Sequence, residues 1–214
     1  MVLDEDTAKK AKTLLRELRD PVTLIVFTQE IECNFCKDTV DLAKELSKID
    51  PKIEREVYVF ERQGEIAKQY GIDKIPAIVP VKEREDYGIR FYGIPSGYEF
   101  VSLLETIRTV STGEHDIANE SIERIRGIDT EVHLQVFVTP TCPYCPRAVI
   151  TAHRFAYISP KVRSDMIEVI EFPHLGNKYG VMGVPRTVIN ENQYIEGAVP
   201  EKVFVDKILQ VLEK

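Results

Sequence analysis

The 214-residue sequence predicts an α/β protein made of two similar units, each with a mixed β-sheet flanked by helices on both faces. Three observations support this prediction. Short apolar runs alternate with helical patterns, and the order of these elements occurs twice along the chain. Each copy also has one CxxC motif between a predicted strand and a predicted helix, and all four cysteines belong to these two motifs.

The first copy begins with an amphipathic helix over residues 5–19, which ends where Asp20-Pro21 interrupts the pattern. The apolar run at 24–27 is typical of a buried strand, and the helical pattern after it runs from the first CxxC motif to Asp50-Pro51. The remaining predicted elements are a strand at 57–60, a short helix at 65–70, strands at 75–79 and up to residue 93, and a helix at 99–110.

The second copy repeats this order. Its predicted elements are a helix at 116–126, a strand at 134–138, a helix at 147–157 after the second CxxC motif, a strand at 166–172, a turn at 176–179, strands at 184–189 and 194–197, and a helix at 202–212.

The spacing of like residues indicates an internal duplication. Five separated pairs share one constant offset in residue number, and the pair Gly93 and Gly197 has an offset that is smaller by five. This change places a length difference in the hairpin loop at 82–86. We therefore predict one domain at 1–113 and a second at 114–214, joined through the polar segment 111–115. The pairs with the constant offset are Cys33 and Cys142, Cys36 and Cys145, Tyr70 and Tyr179, Gly71 and Gly180, and Pro76 and Pro185.

Composition excludes several classes of function. A net charge of −7 argues against a nucleic-acid surface, which requires a basic face. The sequence has no run near the ~18 apolar residues of a membrane span. The N-terminal segment is acidic and lacks an apolar signal core, so we expect a cytoplasmic protein. Few Asn and Gln beside many Glu, Lys and Arg favour a thermophile, in which intracellular disulfides are tolerated.

The two CxxC motifs indicate thiol–disulfide exchange. In this reaction a thiolate attacks a disulfide sulfur, and a second thiol resolves the mixed disulfide. We expect Cys33 and Cys142 to lie at helix N-termini, where backbone N–H groups and the helix dipole stabilise a thiolate, and to act as nucleophiles. We expect Cys36 and Cys145, one turn further along, to be more buried and to act as resolving thiols.

Zinc binding is the main alternative, because two CxxC pairs can supply a tetrahedral site. Zinc ribbons separate their pairs by about 15–20 residues. Here the segment between Cys36 and Cys142 is several times longer, and each pair has its own strand–helix setting. The spacing therefore favours two redox sites, and we expect no metal.

Four motifs resemble those of a known family: CNFC at 33–36, CPYC at 142–145, Ile75-Pro76 and Val184-Pro185. Each proline follows the second cysteine of its copy at the same distance along the chain. A CxxC motif near a βαβ pattern is typical of the thioredoxin fold. Nearly the whole chain resembles the protein disulfide oxidoreductases, or glutaredoxin-like proteins, of hyperthermophilic archaea and bacteria, with two thioredoxin-like units in tandem. CPYC is also the motif of glutaredoxins.

The resemblance implies that Pro76 and Pro185 are cis-prolines facing the CxxC motifs. The main chain of Ile75 or Val184 would then hydrogen-bond to a bound peptide, and the proline would keep metals from the thiols. The residues alone do not distinguish such cis-prolines from ordinary prolines at a strand edge or in a loop. Aromatic residues inside the motifs are expected to add apolar surface suited to an unfolded chain: Phe35 and Tyr144.

The two sites are not expected to be equal. Glu32 precedes Cys33, whereas Thr141 precedes Cys142, and a nearby carboxylate disfavours a thiolate. Lys37 offsets this charge in part if it folds back. We therefore hypothesise that the second site carries most of the reductase activity. The alternative is that Glu32 points into solvent and is screened.

One position departs from the thioredoxin pattern. Six residues before the first cysteine, where thioredoxins have a buried Asp, this chain has Phe27 and Val136. The proton-transfer role of that Asp is therefore unassigned.

The resemblance also implies partners. It implies protein substrates, a flavin-dependent thioredoxin reductase as electron partner, and no cofactor apart from the redox-active disulfides. Two alternatives remain open. One is an electron relay to a peroxidase, as in alkyl hydroperoxide reductase systems, and the other is a chaperone-like protein whose cysteines are incidental.

Overall fold

The computed structural model describes residues 3–213. The first half of the chain contains α1 (Glu5–Leu14) with a 3-10 turn (Leu15–Glu17), β1 (Val22–Thr28), α2 (Cys36–Ile49), β2 (Ile53–Val59), α3 (Phe60–Gln69), β3 (Ala77–Lys82), β4 (Glu85–Asp86), β5 (Ile89–Tyr92) and α4 (Glu99–Thr112). The second half contains α5 (Asn119–Arg126), β6 (Val132–Val138), α6 (Cys145–Ile158), β7 (Val162–Glu168), α7 (Pro173–Lys178), β8 (Arg186–Ile189), β9 (Gln193–Glu196) and α8 (Glu201–Leu212). None of the described helices is long and apolar enough to cross a membrane.

The chain divides into two compact units. Contacts group residues 3–86 with 90–95 and 103–114 in the first unit, and 87–89, 96–102 and 115–213 in the second. The division into domains at 113/114 stays a prediction.

Each unit has a mixed sheet, as predicted. In the first unit the strand order is β2-β1-β3-β5, with β1 parallel to β2 and antiparallel to β3, and β4 pairs with β3. In the second unit the order is β7-β6-β8-β9, with β6 parallel to β7 and antiparallel to β8. In each unit the helix that follows the CxxC motif packs against the two parallel strands.

The central strands β1 and β6 carry the core of each unit. Their consecutive apolar residues are buried, as expected for strands covered on both faces. Near the end of each strand, the same aromatic contact recurs. The ring of Phe27 lies 6.0 Å from that of Tyr70, and the ring of Phe137 lies 5.5 Å from that of Tyr179. The two units therefore share a core arrangement as well as an order of elements.

The offset between the two copies changes between the first strand and the cysteines. The helices that begin at Cys36 and Cys145 and the second strands that begin at Ile53 and Val162 keep the offset of the cysteines. The first strands, however, pair from Val22 and Val132, and their offset is greater by one. The loop between the first strand and the first cysteine is therefore one residue longer in the first unit.

Two strands begin earlier than predicted, because their first residues include charged side chains. β2 starts at Ile53 and β7 at Val162, whereas the apolar pattern predicted 57–60 and 166–172. In β2 the early residues Glu54 and Arg55 are exposed, and in β7 the early residues include a buried charge. An apolar pattern detects neither case. Phe60 accordingly begins α3 rather than ending a strand.

Both prolines lie just before a strand rather than inside it. β3 begins at Ala77 and β8 at Arg186, although strands were predicted from 75 and 184. Proline has no N–H for the ladder, so it is disfavoured at a paired central position.

The buried charge of β7 is Asp165. Its carboxylate lies 2.7 Å from His133 Nε2 and accepts a 3.0 Å hydrogen bond from Arg163 Nε. Burial alone would raise the pKa of Asp165, but the hydrogen bond from His133 and the charges of His133 and Arg163 outweigh it, so that the pKa lies below its usual value. The pairing permits a carboxylate inside the second unit.

Replacing Asp165 with Asn is expected to lower the free energy of unfolding by about 2 kcal/mol, because His133 and Arg163 lose a charged acceptor. Urea unfolding of the full chain measures this. Asp116→Asn is the control, since the carboxylate that pairs with Arg154 there is exposed. Equal effects of the two substitutions would contradict the interpretation.

Candidate active site

The second cysteine of each motif is the first residue of a helix. α2 begins at Cys36 and α6 at Cys145. Cys33 and Cys142 therefore lie in the loop just before the helix N-terminus, and Cys36 and Cys145 are the first helical residues rather than one turn further in as expected. The residue directly before each second cysteine, Phe35 or Tyr144, is the N-cap of the helix, and its side chain makes no capping hydrogen bond.

Both cysteine pairs form disulfides. The Cα–Cα distance is 5.5 Å in each, within the range that a disulfide spans. Cys36 and Cys145 are buried, Cys33 is half-buried, and Cys142 retains slightly more exposure than Cys145. In each pair the first cysteine is thus the more accessible residue.

The two sites differ in the hydrogen bonds that reach their sulfurs. At the second site the backbone N–H of Cys145 donates to Cys142 Sγ at 3.1 Å. At the first site the donor is the backbone N–H of Gln29, and the acceptor is Cys36 Sγ at 3.4 Å. An N–H donor stabilises the charged form of the atom that accepts it. A thiolate on the first cysteine is therefore better supported at the second site.

The Ile75-Pro76 and Val184-Pro185 bonds are both cis, as the resemblance implied. The carbonyl of Pro76 accepts from Gly93 N–H at 2.9 Å, and that of Pro185 accepts from Gly197 N–H at 2.8 Å. Both prolines are buried, and the residues before them are half-buried.

Of the two residues that precede the prolines, one lies within hydrogen-bonding distance of a cysteine sulfur in the described part of the chain. The carbonyl oxygen of Val184 lies 3.7 Å from Cys142 Sγ. Among residues 3–213, Ile75 has no such contact with Cys33 or Cys36.

Apolar side chains lie near both sites. Phe35 is 39% exposed and Tyr144 is 71% exposed, as expected for residues that offer contact surface. Met182, two residues before Val184, is 94% exposed. Sequence analysis did not single out Met182, although its short distance along the chain from Val184 is a usable signal.

At the first site Lys37 does not offset Glu32, and Glu32 lies in solvent, as the alternative had it. Lys37 does not fold back to Glu32, because its ammonium pairs with Asp41 at 3.2 Å along the same helix. Glu32 is exposed and has a left-handed backbone, with φ of 54°.

The two positions that replace the thioredoxin Asp are buried and apolar. Phe27 and Val136 lie in the central strands. Because the first loop is one residue longer, the position equivalent to Phe27 is Phe137, not Val136. Neither unit therefore has a carboxylate at this strand position.

No group of three or more His, Cys, Asp or Glu among residues 3–213 is arranged to hold a metal ion.

Known proteins with similar sequence and structure agree with this geometry. Residues 132–210 match the Thioredoxin_3 family model, a thioredoxin domain. A protein disulfide oxidoreductase from Aeropyrum pernix k1 is 30% identical, with a TM-score of 0.92 over 98% of this chain and 94% of that chain. The chain belongs to the protein disulfide oxidoreductase family.

Other relatives of this oxidoreductase carry different names. The F subunit of alkylhydroperoxide reductase from Enterococcus faecalis (V583) is 26% identical, with a TM-score of 0.91 over 97% of this chain and 100% of that chain. An NADH dehydrogenase of Bacillus subtilis (strain 168) is 24% identical over 97% of this chain, and the F subunit of alkyl hydroperoxide reductase from Staphylococcus aureus is 23% identical over 97%. The chain spans 38% of the length of each of these two relatives.

Glu99 is a buried acid of this protein disulfide oxidoreductase that sequence analysis missed. Ser102 Oγ donates to Glu99 Oε2 at 2.6 Å, and Oε1 has no partner among the described residues. The adjacent Tyr98 N–H donates to the carbonyl of Pro140, two residues before Cys142. Burial raises the pKa of Glu99 to about 7, although the Ser102 hydrogen bond acts in the opposite direction.

The raised pKa of Glu99 predicts a pH-dependent stability. The unfolded chain ionises this group near its ordinary pKa of 4.5, whereas the folded chain holds the proton up to about 7. The contribution of Glu99 to the free energy of unfolding is therefore fully present below pH 4.5 and is lost as the pH rises through about 7. The expected loss is about 3 kcal/mol.

Glu99→Gln is expected to remove this loss, so that the variant is at least as stable as the wild type at pH 8. Chemical unfolding at pH 4 to 8, about one unit apart, measures it. The exposed Glu123→Gln is the control and should leave the profile unchanged. A profile for Glu99→Gln parallel to the wild type would refute the assignment.

Proposed function

We propose that this oxidoreductase exchanges disulfides with protein substrates, with Cys33 and Cys142 as nucleophiles and Cys36 and Cys145 as resolving thiols. The chain itself is a dithiol–disulfide oxidoreductase with two CxxC sites. The observation that carries the proposal is the second site, where a bonded sulfur pair at the head of a helix lies beside the main chain of Val184.

In the reductive direction, the reduced second site reacts in two balanced steps. The Cys142 thiolate attacks one sulfur of the substrate disulfide, the substrate S–S bond breaks, and the other substrate sulfur leaves and takes up a proton. Cys145 then loses its proton and attacks Cys142 Sγ, which releases the second substrate thiol. Two electrons pass to the substrate, and the protein is left with the Cys142–Cys145 disulfide. The oxidative direction is the reverse.

The substrate is proposed to lie along the cis-proline loop. The half-buried Ile75 and Val184 present main-chain groups beside the buried Pro76 and Pro185. A main-chain pairing of this kind accepts an extended segment. Two exposed aromatic side chains would contact its apolar residues: Phe35 and Tyr144.

We propose a cytoplasmic location and a thioredoxin reductase-like flavoenzyme as electron partner. The redox groups are the disulfides themselves, with no further cofactor or metal. The net charge of −7 supports protein rather than nucleic-acid partners.

A second candidate function is an electron relay to a peroxidase. The names and lengths of the relatives favour it, because the chain aligns with part of proteins named as an NADH dehydrogenase and as the F subunit of alkyl hydroperoxide reductase. In a relay, one site would accept electrons from a reductase and pass them to a peroxidase disulfide. Both functions use the same exchange chemistry and differ in the substrate.

The sites are proposed to contribute unequally. Of the two first cysteines, Cys142 is the one whose Sγ accepts a hydrogen bond from the first helical N–H. At the other site, Lys37 pairs with Asp41 rather than with Glu32. The second site therefore starts exchange more readily.

Cys142→Ser is expected to lower the rate of insulin reduction by about tenfold or more, since the better-supported thiolate is lost. Cys33→Ser is the matched variant and should retain most of the rate. Turbidity of reduced insulin with dithiothreitol as electron source follows the reaction. A larger loss from Cys33→Ser would overturn the ranking of the two sites.

The relay predicts a different result. With NADH or NADPH, a thioredoxin reductase-like flavoenzyme and a thiol peroxidase of the same organism, hydroperoxide reduction should depend on the chain and disappear in Cys142→Ser. In that case insulin reduction by the same mixture should be slow. Fast insulin reduction with no chain-dependent peroxide consumption would exclude the relay.

A further inference from the structure

The loop before the first site carries an extra residue. Residues 29–32 connect the end of β1 to Cys33, whereas only 139–141 connect the end of β6 to Cys142. Both loops nevertheless deliver their cysteines to a Cα–Cα distance of 5.5 Å. Something in the first loop must therefore absorb the additional residue.

The extra length is taken up by a left-handed residue directly before the cysteine. Glu32 has φ of 54°, a conformation that costs free energy for a residue with a Cβ atom. No residue of the second loop has a positive φ. There the backbone turns on its own, because Cys142 N–H donates to the carbonyl of Thr139 at 3.2 Å.

Gln29 holds the first loop in this conformation. Its side-chain amide nitrogen, Nε2, donates to the carbonyl of Ile31 at 2.9 Å and to the carbonyl of Glu32 at 3.3 Å. Its backbone N–H donates to Cys36 Sγ at 3.4 Å. One residue therefore contacts both sides of the site: the two carbonyls before Cys33 and the sulfur of its partner.

The equivalent residue of the second unit does not do this. By strand register, Gln29 corresponds to Thr139, whose side chain is too short to reach two carbonyls in this way. Thr139 contributes its main-chain carbonyl to the turn. Gln29 at the first site, which has the longer loop, therefore makes side-chain hydrogen bonds to the loop carbonyls that Thr139 does not make at the second.

We propose that Gln29 is a positioning residue of the first redox site, which keeps Cys33 in bonding range of Cys36 by holding Glu32 in the left-handed conformation. The proposal rests on the exchange chemistry proposed for this site. Only the backbone N–H of Gln29 reaches a sulfur, whereas its side chain bonds to two loop carbonyls, so we expect the side chain to act on the equilibrium between dithiol and disulfide. Without the two side-chain hydrogen bonds of Gln29, Glu32 leaves the left-handed region. The two sulfurs then come within bonding distance less often, which favours the dithiol.

Gln29→Met tests the proposal, because methionine has a similar length but no N–H to donate. The full chain is equilibrated with oxidised and reduced dithiothreitol, alkylated, digested, and the peptides of the two sites are quantified by mass spectrometry. We expect the 33/36 pair to become about tenfold easier to reduce, from the loss of two hydrogen bonds. The 142/145 pair in the same molecules is the internal control and should shift by less than about twofold.

A second substitution distinguishes the effect of the Gln29 hydrogen bonds on the conformation of Glu32 from the effect of side-chain packing at position 29. In the Gln29→Met background, Glu32→Gly should restore the equilibrium to within about twofold of the wild type, because glycine adopts positive φ without strain. Glu32→Gln, which removes the charge and keeps the Cβ atom, should not restore it.

Three results would overturn the proposal: no shift at the first pair in Gln29→Met, an equal shift at both pairs, or restoration by Glu32→Gln but not by Glu32→Gly. Failure of the exchange chemistry itself is distinguishable. In that case dithiothreitol would leave the 33/36 disulfide of the wild type unreduced while it reduces the other pair.

Discussion

The position at which a helix begins governs the chemistry of this protein. In each unit a buried central strand ends shortly before a helix whose first residue is the second cysteine. The short loop and the start of the helix then bring two sulfurs within bonding distance, whichever side chains fill the motif. The backbone therefore sets where the sulfurs lie, and the groups that donate hydrogen bonds to them differ between the two sites.

Duplication preserved this framework and changed what surrounds it. The Phe27–Tyr70 contact recurs as Phe137–Tyr179, and the proline carbonyls bind equivalent glycine N–H groups. The loop lengths and the donors to sulfur do not recur. Two sites with the same covalent geometry therefore differ in which sulfur is electrostatically supported.

Much of the fold followed from the sequence because β1 and β6 contain short, buried and mostly apolar runs. β2 and β7 were misplaced, since the exposed Glu54 and the paired Asp165 do not show an apolar period. The two disulfides followed from the spacing of the four cysteines, and the cis bonds at both prolines followed from the family resemblance. Gln29 and Glu99 did not, because their roles depend on particular contacts: two carbonyls in one case, and burial without a charged partner in the other.

The hydrogen bonds between the prolines and two glycines limit which main-chain groups the cis-proline loops can offer to a substrate. Proline offers no N–H, and the carbonyls of Pro76 and Pro185 are already used by Gly93 and Gly197. Beside each proline, the main-chain groups that remain for a substrate are those of the preceding residue, Ile75 or Val184. Under the binding mode proposed above, the peptide groups of this loop would select a substrate segment for its extended conformation rather than for its sequence, and side-chain preference would come only from the aromatic residues inside the motifs.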